Sequence, residues 1–154
     1  MTEICFIPSG RGGRKVIHNG FTYTKHRDGQ SGSFWHCIAR RENCKGRVKV
    51  NAAETSVKIV KTHNHLPDFG SVKAIKLVAK AKKRCLDEPH IIPSLVTQET
   101  YRMADAETLV ALPKETSVKA ALRRLRRKNL PQIPGTLDSM VTVPDIYQSI
   151  DNER

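Results

Sequence analysis

The apolar positions of this chain recur with two different periods, and the change falls near residue 68. Between Val16 and His65 they alternate with period two, as in half-buried strands. Val16 to His18 reads as a short strand turning at Asn19-Gly20, a two-residue hairpin signal. Phe21 to His26 alternates aromatic with polar and β-branched residues, and Asp28 to Gly32 is a second turn. Ser33 to Ala39 then places Trp35, Cys37 and Ala39 on one face and Phe34, His36 and Ile38 on the other. Gly46 to Asn51 sets Val48 and Val50 opposite Arg47, Lys49 and Asn51. After a turn at Ala52 to Ser56, a last strand runs from Ser56 to His65, ahead of Pro67. Four or five antiparallel strands are expected, enough for a small sheet. Upstream, Phe6-Ile7 is an apolar anchor followed by a glycine-rich basic loop from Gly10 to Lys15. That loop does not fit the phosphate-loop pattern; a surface turn and a close approach to a nucleic-acid backbone both agree with it.

Beyond Phe69 the spacing becomes helical. Val72, Ile75, Ala79 and Lys82 give a narrow stripe on a helix over Ser71 to Leu86, broken by Glu88-Pro89 through Pro93. A second helix is expected from Ser94, as its N-cap, to about Leu112. A third, capped by Ser117, places Val118, Ala121, Leu122 and Leu125 on one face and ends before Leu130-Pro131. The proline-rich, polar composition after Pro131 predicts a poorly ordered tail.

Charge narrows the classes of partner. The chain carries 27 Lys and Arg against 15 Asp and Glu, a net charge of +12. Such a balance favours polyanions, with nucleic acid first and an anionic membrane surface second. No run approaches the roughly 18 apolar residues of a spanning helix, and no membrane partner is expected. Met1 to Cys5 lacks the basic and apolar segments of a signal peptide. A reducing compartment is therefore expected, where cysteines near histidines are more often metal ligands than disulfides. The basic runs Lys80 to Arg84 and Arg123 to Lys128 suit nuclear import, so the expected location is the nucleus.

The chemistry sits between Trp35 and His65. Cys37 and Cys44 are separated by six residues, and His63 and His65 follow eighteen residues later with one asparagine between them. Two thiolates and two imidazoles are the donor set of a closed, tetrahedral, structural zinc site. The two-residue spacing of the histidines suits one face of a strand and not a helix turn. Five of the eight Phe, Trp and Tyr residues lie between Phe6 and Trp35, so the core is small and in need of a staple. Cys5 and Cys85 are left over as ordinary thiols, and His18, His26 and His36 as sheet-surface residues.

The succession Phe6, Ile17, Tyr23, Trp35, Cys37 and His63 resembles the FLYWCH-type zinc finger, with isoleucine at the leucine position. Ser9-Gly10-Arg11-Gly12, Asn19 to Tyr23, Trp35-His36-Cys37 and His63 to Pro67 carry the same resemblance, over about residues 4 to 68. It implies one structural zinc on Cys37, Cys44, His63 and His65. It also implies a sheet similar to those of the WRKY and GCM domains, which read the DNA major groove with a strand. Lys119 to Arg124 with Pro131 and Pro134 is similar to the stretch after the finger in Mutator-like transposase-derived proteins. By that likeness the chain is a finger with a truncated neighbour, without the nuclease domain that follows in those proteins.

The expected architecture is thus α+β: a small antiparallel zinc-stapled β-sheet domain over residues 1–68, a helical region over 69–130 and a tail over 131–154. Residues 1–68 hold twelve Lys and Arg against five Asp and Glu, a net of +7. The expected function is binding of double-stranded DNA in transcription or chromatin regulation. Candidate contacts are Arg11, Arg14, Lys15, Lys25, Arg27, Arg40, Arg41, Lys45, Arg47 and Lys49. The alternative is a chromatin protein partner docked on the Val118 to Leu125 stripe. No nucleophile, base and orienter set is present, so neither an enzyme nor a small-molecule substrate is expected.

Overall fold

The structure is a computed structural model that describes residues 4–9 and 12–129. Six strands form one antiparallel meander in chain order: β1 (Cys5–Pro8), β2 (Arg14–His18), β3 (Phe21–Gly29), β4 (Gly32–Cys37), β5 (Arg47–Asn51) and β6 (Val57–Lys61). The expected four or five strands gain β1, which pairs Phe6 with Val16 and Ile7 with Lys15. The hairpin between β2 and β3 turns at Asn19 and Gly20 with φ of 50° and 77°, the paired positive values of a type I′ turn. Gly32 opens β4 at φ 137° against Asn51, and a side chain there would run into the Val50 carbonyl.

One face of the sheet carries the core of the finger. Val16, Tyr23, Trp35, Cys37, Val48 and Val50 are buried together with Cys44, and Phe6, Phe21 and Val57 pack around them. The registers Val16 to Tyr23, Tyr23 to Cys37 and Trp35 to Val48 put these side chains on adjacent strands. The Trp35 Nε1–H donates to Ser33 Oγ at 2.7 Å, which satisfies the one polar atom of a fully buried ring. On the other face Ile7 and Ile17 meet Val72, Ile75 and Ala79 of α1 (Phe69–Asp87). Asp68 caps that helix by accepting from the Ser71 N–H at 2.8 Å.

Three further helices follow: α2 (Pro93–Arg102), α3 (Ala106–Ala111) and α4 (Glu115–Asn129). The single helix expected from Ser94 to Leu112 is two, because the chain bends after Arg102 and Asp105 starts α3 as an N-cap to Thr108. Ser94 is not the cap of α2; Ile92 holds that position and Pro93 fills N1, where its missing N–H costs nothing. Ser117 lies within α4 and does not cap it. The expected tail from residue 131 lies outside the described residues.

The chain divides into two compact units, and the division falls inside α1. The first comprises residues 1–79 and Asp105–Leu112, with Lys73 bridging Asp105 and Glu107 at 3.0 and 3.1 Å. The second comprises residues 80–104 and those from Pro113 on. In it Cys85, Val96, Val118 and Leu122 are buried, and the Cys85 thiol donates to the Leu122 carbonyl. The Arg126 guanidinium donates to the carbonyls of Cys85, Glu88 and Ile91 at 2.7–3.2 Å, placing a cation on the groups left open at the end of α1. No helix among the described residues is long and apolar enough to cross a membrane.

Candidate metal centre

The four donors converge although they come from three different local structures. Cys37 ends β4, opposite Tyr23 on β3. A 3₁₀ turn over Ile38–Glu42 reverses the chain, and Asn43 closes it in the left-handed region at φ 64° with the Cys44 N–H on the Ala39 carbonyl. The strand expected to reach Ala39 therefore stops at Cys37, and the cysteine spacing is filled by this turn.

His63 and His65 are not on a strand. β6 ends at Lys61, the partner of Arg47, and both histidines lie in the irregular chain beyond it. The expectation of one strand face gives way because the last segment leaves the sheet edge to fold back over Gly46. A Cβ on Gly46 would overlap the His63 ring, so only glycine admits it there. The two imidazoles stand at 82° to each other and present different nitrogens. His63 Nδ1 lies 3.3 Å from Cys44 Sγ, His65 Nε2 lies 3.3 Å from Cys37 Sγ, and these two nitrogens are 3.3 Å apart.

Ligand atoms of Cys37, Cys44, His63 and His65 all fall within 4.8 Å of one another. Zinc bonds of about 2.3 Å to sulfur and about 2.0–2.1 Å to nitrogen give tetrahedral edges of about 3.3–3.8 Å, and the three distances match the short end of that range. Two thiolates cancel the charge of the ion, and four protein donors leave no position for a reacting water. The site is built to hold one structural zinc.

The surrounding groups fix each ligand. His63 Nε2 lies 2.8 Å from Tyr23 Oη, so with Nδ1 on the metal the Nε2–H donates to the phenol. His65 Nδ1 lies 2.9 Å from the Leu66 carbonyl and donates to it in the opposite tautomer. Phe21 stacks on His63 with centroids 3.7 Å apart at an interplanar angle of 7°. Cys44 Sγ accepts from the Gly46 N–H at 3.3 Å. Burial pushes the Cys37 thiol up to about 11, the neighbouring Cys44 adding to it against an Ala39 backbone donor. Burial and the nearby His65 lower the pKa of His63, keeping that ring neutral and able to bind. A protonated thiol must release its proton to the solvent as the ion enters, so zinc affinity rises with pH.

Tyr23, Phe21 and Gly46 are functional residues that spacing alone does not reveal, since their roles depend on strand register and on the path of the chain after β6. Their signal is the family pattern for Tyr23 and, for Gly46, a glycine two residues after a ligand.

The basic side chains differ in their circumstances. Arg14 donates two hydrogen bonds to Glu54 at 2.5 and 3.0 Å and lies over the Phe6 ring. Lys25 pairs with Asp28 at 2.7 Å. Lys49 reaches Ser31 Oγ at 2.6 Å and, with Arg27, flanks the Phe34 ring. Lys15 is half-buried on β2, and Arg11 lies outside the described residues. Arg40, Arg41, Lys45 and Arg47 are exposed, and among the described residues none is paired with a carboxylate.

A Cys₂His₂ centre on an antiparallel sheet defines a sheet-based zinc finger. Residues 6–65 match the family model of the FLYWCH zinc finger domain, so the N-terminal part of this chain is similar to a finger of that kind. That match ends before the helices. No curated protein matches the chain. The finger makes the chain a zinc-binding module for nucleic acid or protein.

Proposed function

We propose that the module binds double-stranded DNA, in transcription or chromatin regulation and in the nucleus, and that it carries out no catalysis. The observation that supports this is the set of cations Arg40, Arg41, Lys45 and Arg47, unpaired among the described residues, on and just after the turn that the zinc ligands anchor. Cations without acidic partners are free to replace the counterions of a phosphate backbone, which is the main source of affinity for duplex DNA. The docking of a protein on the Val118 to Leu125 stripe has less support, because Val118 and Leu122 are buried within the helical unit.

Selection of the zinc-loaded full chain against random duplex DNA, with salt titrated, tests the proposal. Binding through several phosphates lowers log K by about 0.9 per contact for each unit of log salt. An affinity unchanged between low and physiological salt would rule out the phosphate mechanism. Enrichment of one motif would add base reading to it.

A further inference from the structure

A concavity of about 160 Å³ opens beside the metal ligand Cys44, lined by His36, Arg40, Asn43, Lys45 and Arg47. Three cations reach it from three places: Arg40 from the 3₁₀ turn, Lys45 from the residue after Cys44, and Arg47 from the start of β5. Like charges gathered at one cleft repel one another, and among the described residues no carboxylate pairs with any of the three. Glu42, the acid on the same turn, is not among the lining residues.

His36 adds an independent sign. His36 is among the residues lining the same concavity, it is 7 % exposed, and its buried Nε2 has no hydrogen-bond partner. A buried polar atom without a partner is rare and calls for an explanation, and a ligand beside it is one. The His26 ring rests against His36 at 4.1 Å.

The backbone beneath is fixed. The Cys37 N–H donates to the Gly46 carbonyl at 3.0 Å, and the Cys44 N–H to the Ala39 carbonyl at 3.2 Å. With zinc on Cys37 and Cys44 both ends of the turn are pinned, so the backbone that carries Arg40 is fixed before any ligand arrives. A backbone already fixed spares the cost of ordering the turn on binding an anion.

We propose that this concavity seats one backbone phosphate of the bound duplex, held by Arg40, Lys45 and Arg47; the inference rests on the nucleic-acid function proposed above. It selects three of the ten candidate cations as the anchor and makes the turn between the two cysteines the point where the finger takes its register on the duplex. The seat depends on zinc, because the turn that carries Arg40 is closed by two of its ligands.

The test compares two charge-matched double variants of the zinc-loaded full chain, each shown to bind one zinc. Arg40→Gln with Arg47→Gln empties the seat, whereas Lys58→Gln with Lys76→Gln removes the same charge from exposed positions elsewhere. The seat variant is expected to lose about tenfold or more in duplex affinity regardless of sequence, with a salt slope lower by about one. The control pair is expected to lose no more than about threefold. Equal losses in the two variants would overturn the seat and leave DNA binding standing.

Inorganic phosphate supplies the second arm. It is expected to shift the amide resonances of Asn43, Lys45 and Arg47 in the wild type and not in the seat variant; absence of any shift in the wild type would also overturn the seat. If phosphate produces the shift but no duplex binds at low salt, the nucleic-acid source is wrong and the proposal falls with it.

Discussion

The sheet unit and the helical unit are both basic, yet the arginine that closes the helical unit and those beside the metal site are engaged differently. In the helical unit Arg126 is turned onto three backbone carbonyls, and Arg84 is engaged with Glu88 and Glu99. In the sheet unit Arg40 and Arg47, beside a metal-anchored turn, have no carboxylate partner among the described residues. Net charge therefore does not map a binding surface: a guanidinium already occupied by carbonyls or carboxylates has few donors left for a phosphate. The units also differ in what holds them. A buried apolar set of Cys85, Val96, Val118 and Leu122 supports the helices, whereas the small core around Trp35 borders four metal ligands.

The contrast breaks most sharply on loss of the metal. Chelation, or Cys44→Ala, is expected to abolish the near-UV signal of Trp35 while the helical signal of α2 and α4 survives. Apparent binding free energies of structural zinc in small fingers are about 10–16 kcal/mol, more than a core of this size replaces. A near-UV spectrum unchanged after metal removal would show that the sheet stands without its staple.

The converse change should leave the metal alone. Leu122→Ala opens a cavity in the helical unit and is expected to cost about 2–5 kcal/mol there, read as a lower melting transition. Zinc stoichiometry is expected to stay at one. A coupled loss of zinc would mean that the units do not fold independently.

The smallest effect sharpens the picture within the sheet unit. Tyr23→Phe keeps the ring in the core and removes the group that accepts from His63 Nε2–H. Loss of such a partner weakens metal binding by about 10–100-fold, with the lower end expected here because the sheet itself is undisturbed. Competition with a chromophoric chelator measures it, and an unaltered zinc affinity would assign Tyr23 to packing alone.

How much of this was readable in the chain depends on whether the deciding partner was local. Val48 and Val50 against Arg47 and Lys49 and the Asn19-Gly20 hairpin are set by neighbours in sequence and found where the pattern puts them, and the four donors, recognised by residue type, come together as one cluster. The placement of His63 and His65 on a strand failed because a spacing of two fits a strand and equally fits two rings that bind through different nitrogens from a loop. The break between α2 and α3 is hidden in the sequence because Asp105 reads as one more polar helix residue, and only its carboxylate on the Thr108 N–H separates the two helices. Among the ten candidate cations, Arg14 looked no different from Arg40; Glu54, forty positions away, separates them.

The hairpin of β5 and β6 carries one more consequence, in the lengths a chain of this kind can tolerate. The interval from Cys37 to Cys44 is a ruler: the 3₁₀ turn and the left-handed Asn43 fill it, and one residue more or fewer would rotate Cys44 away from the metal. The interval from Cys44 to His63 contains a hairpin whose exposed end at Asn51–Ser56 closes on itself, with Asn51 accepting from the Thr55 and Ser56 N–H groups. Insertions there lengthen a loop at modest entropic cost and leave all four ligands where they are. Drift in length is thus expected to collect in the second interval, while the first holds its count.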